Sequence, residues 1–310
     1  MFEPAYRALL DSGELETRVE NAYRRLEACD ICPRRCGVNR RQEELGTCRT
    51  GEQAIVASAG PHFGEESPLV GRGGSGTVFF TWCNLHCQYC QNHTISQSGE
   101  GDPVTPEALA ATMLRLQERG CHNINFVSPS HVVPQILAAT LIAAQAGLRV
   151  PLVYNTGGYD SLETLALLDG VFDIYMPDMK YADAAVAERY SQVREYPAIN
   201  QAAVREMHRQ VGDLYLDERG VATRGLLVRH LVLPGSLAGT PQIVRFLAEL
   251  SPDTYLNVMD QYRPCYRAHT LPPLDRRISP EEYQEAVDQA RDAGLRRLDD
   301  RAQRWRIWRL

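Results

Sequence analysis

The sequence predicts an α/β protein organised on a parallel sheet, with a small cysteine-rich region ahead of it. Three observations carry that expectation. From Gly76 onward, six short apolar runs alternate with helical patterns, and buried strands separated by helices pair in parallel through right-handed crossovers. Upstream, residues 29–58 set four cysteines among arginines and turn residues. Directly after the first apolar run, Thr77–Phe80, three more cysteines follow at a C-x3-C-x2-C spacing.

The elements follow in order. Residues 1–28 carry an amphipathic helical pattern through Leu9, Leu10, Val19, Tyr23 and Leu26. With them, the cysteine-rich knot makes up a first region, 1–58. The Gly- and Pro-rich stretch 59–75 reads as a linker, 76–295 as the main body, and 296–310 as a basic tail bearing Trp305 and Trp308. Strand 77–81 leads into the second cysteine group. Thr105 caps a helix that has Pro106 at its first position and Gly120 just past its end. Strand 123–128 precedes a helix from about His131 to Ala146, and strand 149–155 a short helix started by Asp160 or Ser161. Strand 171–176 leads into a mostly helical insert, 182–212, after which Asp217-Glu218-Arg219-Gly220 reads as a hairpin turn. Strand 225–233 precedes helix 240–250, and strand 254–259 precedes a helix opened by Ser279-Pro280-Glu281-Glu282, a capping-box pattern.

Composition narrows the class. With 310 residues, 44% hydrophobic and 23% charged, the chain is long enough for one barrel-sized globular domain plus appendages. A formal charge of −6 gives no electrostatic case for general nucleic-acid binding. The start lacks the pattern of a signal peptide, and the longest apolar run, Ile136–Ala144, is too short for a membrane span. Nine cysteines in two metal-like groups then argue for thiolate ligands in a reducing, cytoplasmic setting rather than disulfides. Lys180 is the only lysine among 33 basic residues, which reads either as codon bias toward arginine or as a position that wants a compact ammonium rather than a guanidinium fork.

Cys83, Cys87 and Cys90 are one thiolate short of a closed site. A structural zinc takes four protein ligands and an ordinary cubane cluster four cysteines, so three thiolates point to a 4Fe–4S cluster with one iron left open. The segment Cys83 to Asn92 resembles the radical S-adenosylmethionine (SAM) superfamily, with Tyr89 matching the aromatic just before its third cysteine. Cys32-Pro-Arg-Arg-Cys-Gly37, Gly46-Thr-Cys-Arg49, Tyr154-Asn-Thr-Gly-Gly-Tyr159 and Arg229-His-Leu-Val-Leu-Pro-Gly235 are similar to uncharacterised members related to pyruvate formate-lyase activating enzyme. That resemblance implies a partial (β/α)6 barrel, functional groups at the carboxyl ends of its strands, and SAM chelated by the open iron. It also implies an electron donor such as flavodoxin or ferredoxin, reductive cleavage of SAM, and hydrogen abstraction by a 5′-deoxyadenosyl radical.

Carried onto the strand ends, the resemblance gives each a role. Ser128, Pro129 and Ser130 stand where the superfamily usually has a Gly-Gly-Glu-Pro-like turn that meets the SAM amino group. Asn155 and Thr156 correspond to an Asp-Thr segment of the activases and suit a ribose. Asp178 and Lys180 are the candidate catalytic pair, with a mutual salt bridge at the barrel rim as their other reading. Arg229 suits the SAM carboxylate, while His230 points to the opposite side of its strand. Gln261 or Tyr262 would stand against the adenine, and Cys265 reads as incidental.

Cys29, Cys32, Cys36 and Cys48 have the ligand count of a structural zinc and equally of an auxiliary iron–sulfur cluster. His62-Phe63-Gly64-Glu65-Glu66 reads either as a substrate contact or as a solvated loop. Three functions follow: an activase acting on a glycyl radical enzyme, a modifying enzyme for a small molecule, peptide or RNA, and a non-catalytic metal-binding adaptor.

Overall fold

The computed structural model describes residues 2–299. Its strands are β1 Ala54–His62, β2 Ser75–Phe80, β3 Asp102–Val104, β4 Ile124–Val127, β5 Leu152–Thr156, β6 Ile174–Pro177, β7 Tyr215–Leu216, β8 Ala222–Leu231, β9 Tyr255–Met259 and β10 Arg297–Leu298. The helices are α1 Tyr6–Asp11, α2 Glu14–Arg24, α3 Ser67–Val70, α4 His93–Ser96, α5 Pro106–Glu118, α6 Val133–Gln145, α7 Leu162–Leu168, α8 Ala184–Ser191, α9 Tyr196–Val211, α10 Thr240–Leu250 and α11 Pro280–Asp292. The sheet runs β10-β9-β8-β6-β5-β4-β2-β1-β3, with β7 attached to β8. Strands β2, β4, β5, β6, β8 and β9 pair in parallel and are the six runs expected from the sequence, in the order of a partial (β/α)6 barrel.

Alternation along the strands separates two faces. Ile124 and Phe126 of β4, Tyr154 of β5 and Tyr175 of β6 pack into the large core beneath the helices. Val153, Ile174, Met176 and Leu227 point the other way, into the lumen, and close on Leu69 of α3. Asn123 holds that plug in place, donating from Nδ2 to the Leu69 carbonyl at 2.9 Å while its Oδ1 accepts from Ser75 Oγ at 2.6 Å. The lower end of the lumen is thereby sealed.

Local chemistry starts the helices as expected. Thr105 Oγ1 accepts from Ala108 N at 3.3 Å, Ser161 Oγ accepts from Thr164 N at 3.3 Å, and Ser279 with Glu282 forms a complete capping box. Asp217 Oδ1 accepts from both Arg219 N and Val221 N, which fixes the turn between β7 and β8.

Several expectations are corrected. Residues 59–75 are not a bare linker. Strand β1 runs on to His62, pairing antiparallel with β2 from Val56↔Phe80 to His62↔Ser75, and α3 follows. The outer edge of β2 would otherwise leave its backbone groups unpaired, and β1 satisfies them. The amphipathic start divides into α1 and α2 at Gly13, whose φ of 75° breaks the helix. Of the expected tail, residues 297–298 form β10 against β9, while Trp305 and Trp308 lie outside the described residues. Among the described residues no helix is long and apolar enough to cross a membrane.

Candidate active site

At the carboxyl ends of the strands one cavity of about 140 Å³ collects Cys83, Cys87 and Cys90 with Ser128, Asn155, Thr156, Asp178, Lys180 and Arg229. The loop after β2 supplies the thiols, and the tips of β4, β5, β6 and β8 supply the rest. Each sulfur meets a donor. Leu85 N lies 3.4 Å from Cys83 Sγ, Ser191 Oγ donates to Cys87 Sγ at 3.0 Å, and Cys90 Sγ lies 3.1 Å from Ser96 Oγ. Burial pushes the Cys83 thiol up to about 12 and raises that of Cys87 against the pull of Lys180.

Opposite the thiols, Asp178 holds two cations. Its Oδ2 accepts from Lys180 Nζ at 2.5 Å, and its Oδ1 lies 2.9 Å from Arg229 Nε and 2.8 Å from Nη2. Arg229 Nη2 also donates to Asn155 Oδ1 at 2.7 Å. Burial alone would raise the Asp178 carboxyl, but Arg229 and Lys180 outweigh it and hold it below the usual range. The salt-bridge reading of Asp178 and Lys180 is therefore what the geometry displays, and Glu66 Oε1 adds a second carboxylate 3.9 Å from Arg229 Nη1.

The turn after β5 allows this packing. Gly158 has a φ of 78°, and a Cβ there would strike Asn200 Nδ2 and the Asp178 carbonyl. Asn200 Nδ2 in turn donates to that carbonyl at 2.9 Å and to Gly158 O at 3.0 Å.

Other expected residues sit outside the cavity wall. Ser130 is buried with its Oγ 2.9 Å from Thr156 Oγ1, and the Pro129 carbonyl accepts from Val132 N at 2.9 Å. Tyr262, expected against the adenine, is turned away. Its hydroxyl donates to Leu274 O at 2.6 Å and its ring meets Tyr89 edge-on at 5.9 Å, because a buried phenol needs a partner and finds it in the backbone. Tyr89 packs likewise on Tyr181 at 6.3 Å. Gln261 is exposed, its carbonyl accepting from Gln91 Nε2 at 3.1 Å on the cysteine loop. His230 is fully buried on the helix side, bonded to Met179 O at 2.8 Å and Thr240 Oγ1 at 2.9 Å.

Sequence reasoning missed Ser96 and Ser191, which reach sulfurs across 6 and 104 residues. No local signal marks such donors. The helical insert 182–212 supports the site from beneath: Tyr196 Oη donates to Gly157 O at 2.9 Å and accepts from Lys180 N at 3.1 Å. The His62–Glu66 loop divides, with Phe63 and Gly64 exposed and the two glutamates turned inward. His62 Nδ1 lies 2.8 Å from Glu65 Oε1, and both Glu65 and Glu66 are buried.

Cys29, Cys32, Cys36 and Cys48 line a second, smaller cavity with Arg40 and His131. Arg40 is 1% exposed, donates from Nη1 to His131 O at 2.7 Å, and keeps Nη1 3.9 Å from Cys29 Sγ. Its Nη2 is buried without a partner. A buried cation with an unused donor beside four thiols suits an anionic occupant. Among the described residues no three such groups close on a single ion, whereas in an iron–sulfur cluster each thiolate takes its own iron.

The radical SAM superfamily model matches residues 77–210, the stretch that holds the three-cysteine loop and the first four strand ends of the cavity. An uncharacterized protein of Methanocaldococcus jannaschii is 32% identical over 289 residues, covering 91% of this chain and 79% of that one. The chain belongs to the radical SAM superfamily. Among solved structures, Streptococcus suis SuiB, crystallised with its precursor peptide SuiA, is similar with a TM-score of 0.43 and 13% identity. That match covers 70% of this chain and 46% of SuiB, so the chain spans under half of SuiB's length.

Radical SAM enzymes use a 4Fe–4S cluster, SAM and a reductant. The residues present fit the first two: three thiols with hydrogen-bond donors, and the two cations Lys180 and Arg229 across the same cavity.

Proposed function

We propose that this protein cleaves SAM reductively at a cluster held by Cys83, Cys87 and Cys90, and that the substrate occupies the lumen beside them. The supporting observation is the single cavity in which the three thiols face Asn155, Asp178, Lys180 and Arg229. When bound, cluster and SAM supply a 5′-deoxyadenosyl radical that takes a hydrogen atom from the substrate. The chain's part is to hold and orient. Lys180, with Arg229 behind it, suits the SAM carboxylate, and Ser128, Asn155 and Thr156 suit its amino and ribose groups. The four N-terminal thiols would hold a second metal group, zinc or an iron–sulfur cluster, with Arg40 offsetting its charge. Flavodoxin or ferredoxin would supply the electron.

For the substrate, a glycine loop of a partner glycyl radical enzyme is supported by the activase-like segments Tyr154–Tyr159 and Arg229–Gly235. Modification of a small molecule or peptide is the second reading, favoured by the sealed floor at Leu69, which suits a compact group. Anaerobic reconstitution tests the chemistry common to both. Cys87→Ala should lose about four irons relative to wild type, and reduced wild type should release 5′-deoxyadenosine from SAM. Unchanged iron in Cys87→Ala, or bound SAM left uncleaved at an intact cluster, overturns the reading and leaves the adaptor role.

A further inference from the structure

The lumen below the thiols contains polar groups that the reaction above does not use. Glu66 enters between β1 and α3 and is buried, yet one of its oxygens is idle. Oε1 accepts from Asn257 Nδ2 at 3.1 Å and lies 3.9 Å from Arg229 Nη1, while Oε2 has no partner. Asn125 is the sharper case. It is 0% exposed, sits between Thr77 and Val153 in the parallel register, and has neither Nδ2 nor Oδ1 paired. Its neighbours Ile124 and Phe126 face the helices, so Asn125 faces the lumen. Val127, the next inward residue along β4, lines the cavity of the three thiols, which places Asn125 about 7 Å further down.

A buried primary amide with both ends unpaired is a large and uncommon penalty, and a fold retains one where a ligand completes it. We propose that Asn125 and Glu66 form the recognition floor of a substrate site that takes a neutral amide, the –CO–NH– unit of a peptide or of a lactam. The side chain of Asn125 presents a donor and an acceptor together, which is the complement of that unit. The buried cluster of Val153, Ile174, Met176 and Leu227 on the same face is apolar, so a charged or polyhydroxylated group would lose its water without replacement. The Arg229 charge is taken up by Asp178. Burial also raises the Glu66 carboxyl against the pull of Arg229. The inference rests on the lumen being the substrate chamber.

The test uses reconstituted holoprotein with SAM, titrated calorimetrically with N-acetylglycinamide and separately with 2-pyrrolidinone. Methyl acetate, which keeps the carbonyl and lacks the N–H, is the control. At least one amide should bind saturably, with methyl acetate about tenfold weaker or worse, the loss expected when a site built for an N–H meets an analogue without it. Tighter binding of the open-chain amide identifies a peptide substrate, and tighter binding of the lactam a small molecule. Asn125→Leu should weaken the amide by a similar factor and, in the apo protein, raise the melting temperature by about 2 °C because two unpaired polar atoms disappear. Asn125→Ser, a smaller change in volume, should weaken binding in the same way should the leucine variant not fold. Glu66→Gln should bind within about twofold of wild type; a large loss would mean that the ligand needs the carboxylate charge and is cationic. No saturable amide binding, equal binding of methyl acetate, or binding unchanged in both Asn125 variants overturns the proposal. Release of 5′-deoxyadenosine without added substrate reads the cluster and SAM alone. Lost amide binding with that signal intact therefore separates failure here from failure of the reaction assigned above.

Discussion

Cys87 depends on a partner far away in sequence. Its sulfur accepts a hydrogen bond from Ser191, at the end of α8, and such bonds stabilise the extra charge of a reduced cluster. Ser191→Ala should therefore lower the midpoint potential by roughly 40 mV, taking about 1 kcal/mol for the bond and one electron transferred. A redox titration followed by electron paramagnetic resonance checks it, and an unchanged potential would make Ser191 a packing residue. Lys180 also acquires a physical reason at this scale. One carboxylate, Asp178, serves two cations, and Arg229 already takes Oδ1 with two nitrogens. A second planar fork would compete for that oxygen, whereas an ammonium fits the remaining Oδ2. The sequence alone left codon bias and a need for a compact ammonium as equal readings of Lys180.

Elements buried on both faces were the legible ones. The parallel strands β2, β4, β5, β6, β8 and β9 read as apolar runs because helices cover one side and the lumen the other. Thr105, Ser161 and Ser279 announced their helices because capping is a local hydrogen bond. Strand β1 was hidden by Gly60 and Pro61, residues that usually end a strand and here lie opposite Thr77 and Gly76 on the flank of β2. Which element would brace the site was equally hidden, since Tyr196 and Asn200 of α9 reach Lys180 and Gly158 only through the tertiary fold. The turn they brace is testable. Gly158→Ala forces a Cβ at positive φ into Asn200 and the Asp178 carbonyl, and should cost on the order of 2 kcal/mol in denaturant unfolding of the apo protein. Wild-type stability in that variant would show that α9 yields easily.

Across the whole molecule, Asp173 ties the N-terminal helices to the base of the barrel, accepting from Ala5 N at 2.9 Å and Leu152 N at 3.2 Å. Burial pushes its carboxyl up to about 7, more than the two backbone donors pull it down. The folded state then binds more protons than the unfolded one from about pH 4 to that value. Stability contributed by this group is full at acid pH and is lost as pH rises through the window. Wild type minus Asp173→Asn should show a slope of up to about 1.4 kcal/mol per pH unit there, and equal slopes in pH-dependent denaturation would refute it. The plug of α3 bears on how the protein would treat a polymer. With Leu69 seated against Val153, Ile174, Met176 and Leu227, the lower end of the barrel is closed, so a polymer substrate would reach the thiol cavity by a tip or a bent loop rather than thread through it. A chain that does not thread is expected to withdraw between events, which predicts distributive rather than processive action on a polymer with several target positions. Early in such a reaction, with polymer in excess, singly modified product should accumulate before any doubly modified product, and mass spectrometry of the first turnovers would reveal the opposite pattern if the floor opens.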